Sequence, residues 1–121
     1  MELHILVLDD DQDTREMVQL LLQVAGFSVS VSGNSADALC LASEQQFDAF
    51  LIDNWMPDMT GIELCRKIRV FDQLTPILVC SGAALQADIE AATSTGAQGY
   101  VTKPFDPDDL INALHTVIQT S

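Results

Sequence analysis

Positive charge is what this chain has least of. Five Lys and Arg stand against eighteen Asp and Glu, a formal net charge of −13 over 121 residues. Three of the five cations fall on one short stretch, as Arg66, Lys67 and Arg69, which reads as a solvated helix face and a charge complement to a helix C-terminus. A field of this sign repels polyanions, and binding a phosphate backbone relies on clustered Lys and Arg, so direct nucleic-acid binding is not expected. A metal cation or a basic partner suits the charge. Cysteine is sparse as well: Cys40, Cys65 and Cys80 are odd in number and widely spaced. With no CxxC pair and no Cys/His cluster, neither a zinc site nor a disulfide framework is expected, and all three read as buried reduced thiols. No apolar run approaches the roughly 20 residues of a membrane span. The start, Met1-Glu2-Leu3-His4, lacks the basic and apolar regions of a secretion signal. The chain therefore reads as soluble and cytoplasmic, without a membrane partner.

What is present is ordinary globular material. With 48% hydrophobic residues, a single domain over 1–121 has enough apolar content for one core. Short apolar runs alternate with segments of helical period. Strands are expected at His4 to Leu8, Phe27 to Val31, Ala49 to Ile52, Pro76 to Cys80 and Gly99 to Thr102. The first helix is expected to open at Asp13, with Glu16 as capping-box partner, to bury Met17, Val18, Leu21, Leu22 and Ala25, and to end at Gly26. A second, capped by Asn34 or Ser35, buries Ala38, Leu39 and Ala42 and runs to about Gln45. A third opens on the box Thr60/Glu63 and carries Ile62, Leu64 and Ile68 to about Val70. A fourth runs from Leu85 to about Thr95. The last opens on Asp106, Pro107 and Asp109 and buries Leu110, Ile111, Leu114 and Ile118.

Strict β/α alternation with short links predicts an α/β fold, a doubly wound (βα)5 three-layer sandwich. Strands one, three and four are apolar on both faces and belong at the sheet centre. The serine-alternating second and the short fifth read as edges. The parallel order 2-1-3-4-5, a flavodoxin-like arrangement, satisfies this and places ligands beyond the carboxyl ends of the strands.

At those ends lie Asp9, Asp10 and Asp11 after strand one, Asp53 after strand three, Ser81 after strand four and Lys103 after strand five. Taken singly, each is an ordinary loop or cap residue. Together they set clustered carboxylates, which repel one another and are stabilised by a hard cation with oxygen ligands, beside a hydroxyl and an ammonium. Mg²⁺ is the natural cation, and a carboxylate beside it is able to attack a phosphoryl group.

The chain resembles a response-regulator receiver domain, the phosphoacceptor half of two-component signalling, across its whole length. The carrying residues are Val7-Leu8-Asp9-Asp10-Asp11, Leu51-Ile52-Asp53-Asn54-Trp55-Met56-Pro57 with Gly61 beyond, Ser81-Gly82, and Tyr100-Val101-Thr102-Lys103-Pro104-Phe105. The resemblance implies Asp53 as phosphoacceptor, Asp10 as a direct Mg²⁺ ligand, Asp9 as a ligand mainly through water, and the Trp55 backbone carbonyl as a further ligand, with Mn²⁺ able to substitute. It implies Ser81 as the hydroxyl that moves to the phosphoryl group, Lys103 as the ammonium pairing with it, a cis Lys103-Pro104 bond, and Tyr100 as an aromatic switch. Helix four, strand five and helix five would carry the output. The implied donor is a phosphohistidine on a sensor histidine kinase or a histidine phosphotransfer domain; the implied recipient of the signal is a downstream protein or domain. The domain would catalyse its own phosphorylation and dephosphorylation rather than a metabolic reaction.

Two positions stay open. Trp55 either overhangs the phosphoryl group and restricts water, or packs on the surface or meets a partner. Asp11 is either a further ligand or, the preferred reading, a helix cap or loop residue. Among rival readings, an EF-hand over Asp9, Asp11 and Asp13 fails at Thr14 and Leu20, where Gly and Glu are needed. A haloacid-dehalogenase-like phosphatase shares the D-x-D pattern but normally has Thr or Val where this chain has Asp13, and it needs more chain. A flavodoxin-like flavin carrier would have its phosphate repelled by the aspartates. A receiver-like interaction module that takes no phosphoryl group is the remaining alternative. His4 and His115 fall away from the strand-end cluster and read as structural.

Overall fold

The computed structural model describes residues 2–82, 86–103 and 106–120. Strands β1 (His4–Leu8), β2 (Ser28–Ser32), β3 (Ala49–Asp53), β4 (Ile77–Ser81) and β5 (Gly99–Thr102) alternate with helices α1 (Gln12–Val24), α2 (Ser35–Glu44), α3 (Gly61–Phe71), α4 (Gln86–Ser94) and α5 (Pro107–Thr120). Every strand pairing is parallel, in the order β2-β1-β3-β4-β5. That is the doubly wound α/β arrangement expected from the alternation.

The side-chain period of two divides the core. Leu6 and Leu8 of β1, Phe50 and Ile52 of β3 and Ile77 and Val79 of β4 face one way and pack with Ala38 and Ala42 of α2, Leu64 and Ile68 of α3, and Ala92 of α4. Ile5 and Val7, Leu51, and Leu78 and Cys80 face the other way, against Val18 and Leu22 of α1 and Leu110 and Leu114 of α5. β3 and β4 are buried at every residue, whereas β2 and β5 are mostly half-buried. Strands covered on both faces tolerate continuous apolar runs, and edge strands do not require them.

Local chemistry sets the helix ends. Asn34 Oδ1 accepts from the Asp37 amide at 2.8 Å, and Thr60 Oγ1 from the Glu63 amide at 3.1 Å. Asp106 Oδ1 accepts from the Asp108 amide at 2.9 Å, with Pro107 as the first helical residue. Gly26 and Gly96 follow α1 and α4 with φ of +98° and +105°, the left-handed region where a Cβ is unfavourable.

The structure corrects several expectations. α1 is capped by Asp11, not opened by Asp13: Asp11 Oδ2 accepts from the Thr14 amide at 3.0 Å and its hydroxyl at 2.6 Å. Met17 and Ala25 are exposed, because only a narrow stripe of α1 reaches the sheet. Val117 of α5 is buried and was not anticipated. Cys40 lies exposed on α2, while Cys65 and Cys80 are buried as expected, and burial pushes both of those thiols up in pKa. Leu85 lies outside the described residues.

Arg69 is no solvated charge. Its guanidinium donates to the Gly96 carbonyl at 2.8 and 3.2 Å, the Asp72 carbonyl at 3.0 Å and Gln98 Oε1 at 2.9 Å, tying the end of α3 to the turn before β5.

Asp72, just past α3, organises the approach to β4. Its carboxylate accepts from the amides of Leu74 and Thr75, each at 3.0 Å, and from the Thr75 hydroxyl at 2.6 Å. Partial burial alone would raise its pKa; the Thr75 and Leu74 hydrogen bonds outweigh that and hold the carboxyl below its ordinary value. A carboxyl lowered in the folded state stabilises the fold above its unfolded pKa of about 3.9, and that contribution disappears as pH falls through the folded value. Asp72→Ala is expected to cost about 1 kcal/mol at neutral pH. In urea melts across the acid range, the gap between variant and parent should close below about pH 3. An equal gap at neutral and acid pH would assign the loss to packing instead.

Candidate functional site

Parallel pairing brings the carboxyl ends of all the strands to one edge, and the chain reverses direction across the sheet between β1 and β3, leaving a crevice there. Asp9 and Asp10 follow β1, Asp53 ends β3, Ser81 ends β4 and Lys103 follows β5. Asp9 and Asp53 are only 5% and 7% exposed, Ser81 is fully buried, and Asp10 stands out in solvent.

Each group is held from its own strand end. The Asp9 amide donates to the Ser32 carbonyl of β2 at 3.2 Å, and the Asp9 carbonyl accepts from the Arg15 guanidinium at 2.9 Å. Asp9 Oδ1 accepts from the Asp11 amide at 3.0 Å. The Lys103 amide donates to the Ser81 carbonyl at 2.8 Å, extending the β4/β5 ladder by one rung and aiming the lysine back over the sheet. Its ammonium lies 2.6 Å from Asp9 Oδ2 and 3.4 Å from Asp53 Oδ1. One carboxylate oxygen from each of Asp9, Asp10 and Asp53 falls within 4.8 Å of the others.

Electrostatics follow from this crowding. Burial pushes the Asp53 carboxyl above its ordinary value; the Lys103 charge opposes that rise and the Asp9 charge adds to it. Burial alone would lower the Lys103 ammonium, but its hydrogen bond to Asp9 and the charges of Asp53 and Asp9 raise it overall. Lys103 thus stays charged and neutralises part of a carboxylate cluster that burial would otherwise make costly.

The loop beyond Asp53 is drawn in tightly. The Asn54 amide donates to the Cys80 carbonyl at 2.8 Å, the Gly61 amide to the Asn54 carbonyl at 2.9 Å, and Trp55 bridges to Thr60. A Cβ at Gly61 would stand 3.0 Å from the Asp53 carbonyl oxygen and from Asn54 Cα, both backbone atoms unable to give way. Glycine is needed here for close approach, not for an unusual φ. The Trp55 amide lies 3.5 Å from Asp53 Oδ1, and the Trp55 indole N–H donates to Ser81 Oγ at 3.1 Å.

Asp9, Asp10, Asp53 and Lys103 therefore meet in one cluster, with Ser81 at the end of the adjoining strand, whereas Asp11 is committed to the α1 cap. Tyr100 is partly buried on β5, against the core layer that holds Leu64 and Val79. The Lys103-Pro104 bond lies outside the described residues. His4 is bonded through its ring to Ser30 Oγ at 2.8 Å and lies tilted against Phe47 with ring centroids 4.5 Å apart; His115 packs against Phe27. The Arg15 and Trp55 side-chain bonds were not legible in the sequence, because neither residue type has a fixed partner at those separations.

The donor set fits a hard divalent cation. It consists of three carboxylates with no sulfur or imidazole among them, close enough to share one ion and partly exposed through Asp10, where waters would complete the coordination of a bound Mg²⁺. No helix among the described residues is long and apolar enough to cross a membrane.

Fold and site together define a parallel α/β domain with an acidic, lysine-bridged crevice at its switch point. The chain belongs to the response regulator receiver domain family, whose model matches residues 5–115. It is 33% identical over 120 residues to the cell cycle transcriptional regulator CtrA of Caulobacter vibrioides, covering 98% of this chain and 52% of that protein. The chain thus spans about half the length of such relatives. The chemotaxis response regulator CheY4 of Vibrio cholerae superposes with a TM-score of 0.92 at 32% identity, over 97% of this chain and 99% of that one. The receiver domain of the sensor histidine kinase PA1611 of Pseudomonas aeruginosa, solved with a magnesium ion coordinated in its active site cleft, gives 0.90 at 27% identity, over 98% and 99% of the two chains.

Proposed function

We propose that Asp53 accepts a phosphoryl group from a phosphohistidine carried by a sensor histidine kinase or a histidine phosphotransfer domain. The observation that carries this reading is the placement of Asp53, a nearly buried carboxylate at the end of a central strand, 3.4 Å from the Lys103 ammonium and beside Asp9 and Asp10. Asp9, Asp10 and Asp53, with the Trp55 backbone carbonyl, would hold Mg²⁺. Bound there, the ion supplies positive charge against the transferred oxygens.

In this reading an Asp53 carboxylate oxygen forms the new bond to phosphorus. The phosphorus–nitrogen bond breaks, and its electron pair returns to the imidazole of the donor. Lys103 leaves its place between Asp9 and Asp53 to pair with a phosphoryl oxygen, and the Ser81 hydroxyl donates to another. The same groups serve the reverse loss to water, so the domain acts as a self-catalysing switch in the cytoplasm. Drawing Ser81 toward the phosphoryl group lets Tyr100 turn inward and changes the face formed by α4, β5 and α5, which passes the state to a downstream protein or domain.

The test is phosphotransfer profiling. Radiolabelled phosphohistidine kinases and phosphotransfer domains are offered to the chain with and without Mg²⁺. Rapid, Mg²⁺-dependent transfer from at least one donor is the expected result. Failure of every donor, and of acetyl phosphate, would leave the chain an interaction module only.

A further inference from the structure

The chain contains a single tryptophan, and its position is unusual chemically. Trp55 is 60% exposed, yet its indole nitrogen lies 3.1 Å from the hydroxyl of Ser81, a fully buried residue. An exposed indole would ordinarily give its N–H to water. Here the ring leans across the crevice instead and spends its only donor on a buried hydroxyl. The Trp55 backbone is held independently of its ring, by the bridge to Thr60 and by the approach of its amide to Asp53 Oδ1 at 3.5 Å. The side chain is therefore a tether between the acceptor loop and the end of β4.

We propose that Trp55 is a positioning residue, a latch whose indole N–H holds Ser81 in its unphosphorylated place and is released when the phosphoryl group captures the Ser81 hydroxyl. This rests on the function proposed above. The latch is in place only before transfer, so it opposes the active arrangement. An interaction made in one state of a two-state equilibrium shifts that equilibrium by its differential free energy. One neutral hydrogen bond, partly exchanged for water, corresponds to roughly five-fold.

Trp55→Phe keeps an aromatic ring of similar reach and removes the donor. With beryllofluoride and Mg²⁺ as the phosphoryl mimic, the variant is expected to bind the mimic about five-fold more tightly than the parent, read by calorimetry. Trp55→His restores a ring N–H and should move the affinity back toward the parent. The parent also reports on itself. Excited selectively, its tryptophan emission comes from Trp55 alone, so loading with the mimic should change the spectrum, and Ser81→Ala without the mimic should show the released indole in advance.

Equal or weaker mimic binding by Trp55→Phe, or a parent emission unmoved by loading, would overturn the latch. A parent that takes up neither the mimic nor acetyl phosphate would instead overturn the function on which the latch rests, so the two failures are distinguishable.

Discussion

Asp53→Asn is expected to abolish phosphoryl uptake while leaving the fold intact. In a phosphate-retarding gel with acetyl phosphate and Mg²⁺, the slower band of the parent should be missing from the variant. The amide has nearly the shape of the carboxylate, so the central strand and its packing are undisturbed. What is lost is the oxygen nucleophile, and with it one of the three carboxylates that converge within 4.8 Å. The substitution also tests the electrostatics. Because burial holds the Asp53 carboxyl above its ordinary value, its charged form opposes folding at neutral pH. Without a divalent ion, Asp53→Asn should be at least as stable as the parent in urea melts; with millimolar Mg²⁺ the parent should gain more stability than the variant. A retained band would place the acceptor elsewhere, and a large loss of stability in metal-free buffer would show that the carboxylate is structural.

Lys103→Met removes the opposite partner and should behave in the opposite way. The ammonium stands 2.6 Å from Asp9 and 3.4 Å from Asp53, and both carboxylates are more than nine-tenths buried. Methionine keeps much of the apolar stem and deletes the charge, leaving two crowded carboxylates facing each other. Removing one partner of a fully buried pair costs about 3–5 kcal/mol. Because the lysine side chain is 24% exposed and water screens it, about 1–3 kcal/mol is expected in metal-free buffer. Mg²⁺ should narrow that deficit by replacing the missing positive charge. Phosphoryl transfer should still fall by roughly 10²-fold or more, because the ion does not replace a donor aimed at the phosphoryl oxygens. Equal stabilisation of parent and variant by Mg²⁺ would show that Lys103 and the cation do not share these carboxylates.

The two variants separate roles that net charge alone merges. Of the eighteen acidic residues, Asp11, Asp72 and Asp106 are committed to capping and turns by hydrogen bonds to backbone amides. Asp9, Asp10 and Asp53 form the cluster at the strand ends. Changes to the first group are expected to act on stability and its pH dependence; changes to the second are expected to act on cation and phosphoryl binding.

The division of the strands into centre and edge, which the order 2-1-3-4-5 satisfies, was legible because apolar runs on β1, β3 and β4 differ visibly from serine alternation on β2 and from the short β5. Burial on two faces and burial on one leave different sequence patterns. The strand-end residues were legible for a related reason: once the parallel order is known, topology alone brings Asp9, Asp10, Asp53, Ser81 and Lys103 to one edge. The caps Thr60 and Asp106 were legible to the residue, whereas the start of α1 was legible only to within two. Both Asp11 and Asp13 are able to cap, and the choice fell to Asp11 because its carboxylate reaches the Thr14 amide and hydroxyl together.

By itself, then, the sequence determined the βα alternation, the division of the strands into centre and edge, and the set of chemical groups at the strand ends, since these follow from local periodicity and chain direction. Tertiary structure decided which groups touch. Lys103 meets Asp9 across 94 residues of chain, Arg69 meets Gly96 across 27, and the Trp55 indole meets Ser81 across 26. Such pairings carry no periodic signature, because they depend on where whole strands and loops are carried by the packing of both core layers, and a long side chain is able to reach several partners until that packing selects one.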